Sequence, residues 1–196
     1  MKGLPEAVAR AVAAHDAPPF AVHVADLTDV PLVLGLFDDA VVWLNQRGVT
    51  QQWGTQPFSA NPKRVASVTS WVHSGGTVVA TRDDQTCGAL VLGEATPYVA
   101  PATEPELYVV GLVGGRDPEA RGAGRALLGL ADAVAHELGV PKLRVDCYAG
   151  GDQDLVRFYE SAGYTRTDTF DVDGWPGQVL ERHLPAGRGG RLPSAG

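Results

Sequence analysis

The sequence predicts one mixed α/β domain, and three observations carry that prediction. Apolar residues recur at helical spacing in two long stretches, 28–48 and 122–138. Short runs rich in valine and leucine, such as TVVATR (77–82) and ELYVVGLVGG (106–115), have the length and composition of strands. The segments are ordered strand, two helices, three strands, helix, strand, helix, two strands, which is neither an internal repeat nor a doubly wound alternation.

AVHVADL (21–27) alternates apolar and polar residues, and the helix that follows has Thr28 as its candidate N-cap and Gly48 as its stop. QQWGTQPFSANP (51–62) reads as a loop with two aromatics. Asn61 caps and Pro62 opens a second helix, which Gly75 and Gly76 end. TVVATR and TCGALVLG (86–93) flank a short polar turn, the pattern of a β-hairpin. A proline-containing loop, EATPYVAPATEP (94–105), leads into the β-branched run from Glu106, which reads as a buried central strand. The helix of 122–138 has Ala126, Leu127, Leu130, Ala131, Val134 and Leu138 on one face and stops at Gly139 and Pro141. KLRVDCY (142–148) is a strand, DQDLVRFYESAG (152–163) a short helix, and YTRTDTFDV (164–172) and GQVLERHL (177–184) the last two strands. Residues 1–19 are an alanine-rich N-terminal extension ending in two prolines. Residues 185–196 have the glycine, proline and arginine content of a disordered tail.

A chain of 196 residues with 44% hydrophobic and 20% charged content reads as a globular protein long enough to bury a core. A formal net charge of −7 argues against nucleic acid or an anionic membrane as a partner, since both need clustered basic residues. No run of about 18 apolar residues suggests a membrane span, and the N-terminus lacks a long apolar signal core, so a cytoplasmic location is expected. Cys87 and Cys147 show no CxxC or Cys/His spacing and read as buried free thiols. His23, His73, His136 and His183 are scattered over different elements, so no metal site is expected.

The stretch EARGAGRALL (119–128) stands out in so acidic a chain. The first turn of a helix has amides without intrahelical partners, and the helix dipole favours an anion there. Gly122 and Gly124 remove side chains that would hold a phosphate off those amides, and Arg121 and Arg125 can add charge. The plain alternative is a glycine-softened loop with solvated arginines. A dinucleotide fingerprint fits poorly, because its third glycine is Leu127, and a P-loop lacks its Gly-Lys-Ser/Thr.

The run resembles the acetyl-CoA loop of the GNAT superfamily of N-acetyltransferases, R/Q-x-x-G-x-G/A, which Arg121, Gly122, Ala123, Gly124, Arg125 and Ala126 satisfy in order. It follows a central strand and opens an amphipathic helix. One strand later, DLVRFYESAGY is similar to the family signature L-x-x-F-Y-E-x-x-G-F/Y through Leu155, Phe158, Tyr159, Glu160, Gly163 and Tyr164. The resemblance implies a GNAT N-acetyltransferase domain over 20–184, with a central mixed sheet of about six to seven strands flanked by about four helices. It implies acetyl-CoA as co-substrate, its pyrophosphate on the loop and its pantetheine arm beside the strand, where Leu112 and Val113 offer backbone hydrogen bonds. Asp152 aligns with a family position that contacts the cofactor, although an Asp there equally suits a helix N-cap.

Acyl transfer to an amine needs a neutral nucleophile, a donor for the developing oxyanion and a proton for the departing thiolate. Tyr159 matches the family's general acid, a phenol whose ordinary pKa of about 10 keeps it protonated near pH 7; a core aromatic is the alternative. Glu106 opens the strand on which the family often places an acidic base, though Glu106 and the nearby Glu104 also suit exposed loop carboxylates. Trp53, Phe58 and Tyr98 lie on loops that border the acceptor cleft in this superfamily, as cleft wall or as packing. An acyl-cysteine route through Cys147 lacks a histidine partner in the pattern. The expected reaction is direct transfer of acetyl to a primary amine of a small molecule. A protein N-terminus or lysine, or a non-catalytic acyl-CoA-binding role, are the alternatives. No metal, nucleic acid or membrane is implied, and a homodimer is compatible with the sequence.

Overall fold

Helix α1 (Leu4–Ala13) opens the chain, with Pro5 in its first turn and apolar residues at helical spacing. Leu4, Ala7, Val8 and Ala11 are buried on that one face. The protein is described by a computed structural model covering residues 1–16 and 18–185. After α1 come β1 (Ala21–Val24), α2 (Val30–Gln46), α3 (Pro62–His73), β2 (Thr77–Arg82), β3 (Gln85–Gly93), β4 (Glu106–Gly114), α4 (Ala123–Leu138), β5 (Lys142–Tyr148), α5 (Asp154–Ser161), β6 (Thr165–Val172) and β7 (Trp175–His183). The strands form one sheet in the order β1-β2-β3-β4-β5-β7-β6. Every neighbouring pair is antiparallel except β4 and β5.

The mixed architecture and the element order from β1 onward match the expectation. The N-terminal boundary differs. The domain was expected to begin at residue 20, but the apolar face of α1 packs on α4 and joins the same core as Leu90, Leu107, Leu127 and Leu143. Residues 186–196, most of the expected tail, lie outside the described residues. The expected cap of α2 also moves. Asp26, not Thr28, caps a short turn ahead of the helix, accepting from Thr28 N while Asp29 accepts from Asp26 N. Asn61 caps α3 as expected, through Lys63 N and Arg64 N. The hairpins β2–β3 and β6–β7 turn on Asp83-Asp84 and Asp173-Gly174, all four with positive φ, the conformation that matches strand twist.

Helices cover both faces of the sheet, which explains why its central strands are apolar on consecutive residues. Val78, Ala80, Leu90 and Leu92 meet α1 and α4, whereas Val79, Ala89 and Val113 meet Val33, Phe37, Val41 and Val68 of α2 and α3. Among the described residues no helix is long and apolar enough to cross a membrane.

One departure from regularity positions the site. The parallel pairing of β4 with β5 runs from Glu106↔Lys142 to Val109↔Val145 and stops, although both strands continue. On the other side of β4 the register with β3 slips between Val91 and Leu92, leaving Val110 as the extra residue. An extra residue bends a strand and sharpens its twist. Past Val109 and Val145 the two strands therefore diverge, and a cleft opens between them.

Candidate active site

The cleft has a volume of about 790 Å³ and is lined by both diverging strand ends, the start of α4, α5, α2 and the loops after α2 and before β4. Its inner edge of β4 has no partner strand beyond Val109, so backbone N–H and C=O groups there are free to pair with an extended ligand. Leu112 and Val113 both line the cleft, and their side chains pack against opposite cores.

At the start of α4, Gly122 sits in the left-handed region at φ +96° and accepts from Arg125 N and Ala126 N. The amides of Gly122, Ala123 and Gly124 then belong to the turn where helical acceptors run out. A Cβ on Gly124 would lie 3.4 Å from Phe158 Cζ, so this glycine keeps the passage between α4 and α5 open. Ala123 is fully buried in a small cluster with Phe20, Cys87 and Ala120, and Ala126 packs against it, so these alanines contribute backbone and packing. Arg121 is exposed. Arg125 is braced on α5, donating 2.8 Å bonds to Ser161 O and Oγ. These residues fit a pyrophosphate held by amides and the start of a helix, with one arginine free to reach it and the other tied back.

Tyr159 lies on α5 and lines the cleft from the α4 side. It is 5% exposed and packs edge-on against Phe158 and Tyr164. Burial, together with the nearby Cys147, Tyr164 and Asp146, pushes its pKa well above that of an ordinary tyrosine. The phenol is thus a fixed, protonated donor. Cys147 also borders the cleft, but burial and then the neighbouring Asp146 push its thiol up to about 12. A thiol so far from ionising is a weak nucleophile, and among the described residues no histidine lines the cleft to activate it.

Trp53, Phe58 and Tyr98 all line the cleft. Phe58 stacks on Phe37 with centroids 4.5 Å apart, and Trp53 stands edge-on to both. Arg64 donates a 2.7 Å bond to Trp53 O and fixes that loop. Asp152 lines the cleft but is exposed and caps nothing; Gln153, in the left-handed region, holds the N-cap position of α5 without a side-chain bond.

Glu106 is not brought to the cleft. Its carboxylate forms a two-point ion pair with Arg144, which also donates two 3.0 Å bonds to Ala100 O. The two side chains are 14% and 5% exposed, so the carboxylate is spent on neutralising a buried guanidinium. Glu104 is likewise engaged, 3.3 Å from Lys142 Nζ. The expected base on β4 is thus corrected to a structural ion pair.

Residues 41–164 match the model of the acetyltransferase (GNAT) family, well over half of the chain. The chain belongs to the GNAT acetyltransferase family. Solved GNAT structures share the fold at low identity. An acetyltransferase of Listeria monocytogenes 4b F2365 is 19% identical with a TM-score of 0.64, covering 84% of this chain and 95% of its own. The yncA acetyltransferase of Salmonella typhimurium, solved with acetyl-CoA as its cofactor, is 16% identical with a TM-score of 0.58, covering 85% and 94%. The ribosomal-protein-alanine N-acetyltransferase of Brucella melitensis is 18% identical with a TM-score of 0.60, covering 83% and 99%. No curated protein matches the sequence. The chain is an acyltransferase.

Besides the exposed Asp152 and Asp154, the cleft is lined by a half-buried carboxylate, Asp146, which the sequence reading passed over. It follows Val145, the last residue of β5 paired to β4, and lies one step past the Glu106–Arg144 pair on the same face of the strand. Tyr108 Oη donates a 2.6 Å bond to its Oδ1 and Tyr98 Oη a 3.5 Å bond to its Oδ2. Burial raises its pKa despite both bonds. An acidic residue within a strand, just where that strand's C-terminal end leaves a parallel neighbour, was the available signal. Tyr148 and Trp175 were also missed. They meet at 5.6 Å and line the same cleft, which all 4 tryptophans of the chain border.

Proposed function

We propose that the protein transfers the acetyl group of acetyl-CoA directly to the primary amine of a small molecule. The observation that carries this reading is the convergence on one cleft of Gly124 at the amide turn, the free edge of β4, the Tyr159 phenol and the Asp146 carboxylate. Leu112, Val113 and the amides of residues 122–124 hold the CoA portion, with Arg121 adding charge and Asp152 at the rim. Acetyl-CoA supplies an activated acetyl group: the acceptor nitrogen bonds to the thioester carbon, the carbon–sulfur bond breaks, and its electron pair leaves on sulfur. Tyr159 gives that sulfur the phenolic proton and recovers one from the new amide nitrogen. The nitrogen attacks only when neutral, and an ordinary alkylamine is protonated at pH 7, so a base must first take a proton from it. Cys147 stays a spectator, which makes the transfer direct. Trp53, Phe58 and Tyr98 wall the acceptor's side.

The aromatic, recessed character of the cleft favours a small acceptor over a polypeptide, whose backbone would need polar partners along its length. Mass spectrometry of purified protein with acetyl-CoA, against a panel of small primary amines and a panel of peptides, tests this directly. Acetylation of small amines is expected; modification of peptides alone would overturn the small-molecule reading while leaving the cofactor assignment intact.

A further inference from the structure

The side chains of β5 divide between the two faces of the sheet. Leu143, Val145 and Cys147 enter the core under α4 and α5, together with Tyr159. Arg144, Asp146 and Tyr148 alternate with them and therefore project to the other face. Arg144 is consumed by Glu106 and Ala100, and Tyr148 Oη bonds Gln51 Oε1 at 2.9 Å. Asp146 holds only the two tyrosine hydroxyls, and among the described residues no lysine, arginine or histidine comes within 4.0 Å of it. A half-buried carboxylate without a cation is costly in a low-dielectric site and is a place prepared for one.

The surroundings of Asp146 restrict what that cation can be. Tyr98 packs against Phe170 at 4.9 Å, Phe170 stacks on Trp175 at 5.9 Å, and Trp175 meets Tyr148. Trp175 Nε1 donates a 2.9 Å bond to Gln52 O, which ties this wall to the loop after α2. Aromatic faces bind ammonium groups and broad apolar bodies together. The cleft's cationic side chains are elsewhere: Arg47 and Arg116 lie 4.6 and 4.5 Å from the Trp43 ring, and both are exposed.

We propose that Asp146 anchors the ammonium of the acceptor and takes its proton, and that this acceptor is a primary amine with an aromatic or similarly broad apolar body and no carboxylate beside the nitrogen. The inference rests on the acetyltransferase reading above and specifies its acceptor. One proton passes from the ammonium nitrogen to an Asp146 oxygen, freeing the lone pair that forms the carbon–nitrogen bond. The aromatic wall holds the remainder of the molecule against Tyr98 and Trp175. A carboxylate on the same carbon as the amine would be forced next to Asp146, where like charges repel.

Isothermal titration with three indoles sharing one ring system tests the proposal: tryptamine, its neutral alcohol tryptophol, and tryptophan. Each is titrated into wild-type protein and Asp146→Asn at pH 7, with and without saturating coenzyme A, whose own affinity is measured first. Tryptamine is expected to bind wild type about tenfold or more tightly than either analogue, and Asp146→Asn to lose that advantage with coenzyme A affinity unchanged. Equal binding of tryptamine and tryptophol, a preference for tryptophan, no binding of tryptamine, or unchanged tryptamine affinity in the variant would each overturn it. Failure of coenzyme A to bind folded wild type would instead overturn the acetyltransferase reading. If Asp146→Asn does not fold, the wild-type comparison of tryptamine with tryptophol decides.

Discussion

Replacing Glu106 by glutamine separates the two places where a catalytic carboxylate was to be sought. Glu106 and Arg144 are 14% and 5% exposed and joined by two bonds. Removing one member of a buried pair typically costs about 3–5 kcal/mol, because the other charge is left uncompensated. Here the guanidinium keeps both bonds to Ala100 O, and a glutamine carbonyl still accepts one bond, so about 2–3 kcal/mol is expected. For a domain of this size each kcal/mol moves the thermal midpoint by about 2–4 °C, giving a drop of roughly 4–12 °C. The assay pairs a melting curve with steady-state kinetics well below the variant's midpoint, using any amine that wild type acetylates. The structure predicts a lowered midpoint with kcat/KM within about threefold of wild type. A loss of about 10²-fold or more in kcat with an unchanged midpoint would return the base to Glu106 and refute the assignment of the cleft carboxylate to Asp146.

Tyr159→Phe removes only a phenolic oxygen that makes no hydrogen bond among the described residues, so the midpoint should hardly move while kcat falls by about 10²-fold or more and acetyl-CoA affinity is kept. Unchanged turnover would leave Tyr159 as packing. Leu4→Ala should lower stability to urea by about 2–3 kcal/mol, since Leu4 is 4% exposed on the apolar face of α1 that joins the main core. A change below about 0.5 kcal/mol would show that α1 is not part of the domain core.

The features legible in the sequence are the ones encoded locally. The amide turn at Gly122 and Gly124, the α5 signature around Tyr159 and the Asn61-Pro62 helix start each depend on residues within a few positions of one another. Helix α1 carries such a pattern too, in Leu4, Ala7, Val8 and Ala11, but small alanines blur the contrast between its faces. The acceptor side depends on events far apart in the chain. Whether Glu106 is free is decided by Arg144, 38 positions later, and Asp146 becomes a cleft residue only because β4 and β5 stop pairing after Val109 and Val145. Trp175 joins Tyr148 because β7 inserts beside β5 and brings Gly177 opposite that tyrosine. Strand identity is a local property, whereas the divergence of two strands is set by a bulge against a third.

We propose that the turn at the start of α4 holds the phosphates of acetyl-CoA at the mouth of this cleft. The most direct test is the thermal midpoint of wild type and Gly124→Glu with acetyl-CoA at about 100 times its Kd for wild type. Wild type should gain about 2.7 kcal/mol, raising the midpoint by very roughly 5–10 °C. A glutamate at 124 would fill the space beside Phe158 and set a carboxylate against the phosphates, so the folded variant should show no rise. A variant that rises as far as wild type, or a folded wild type that does not respond, would rule out phosphate binding at this turn.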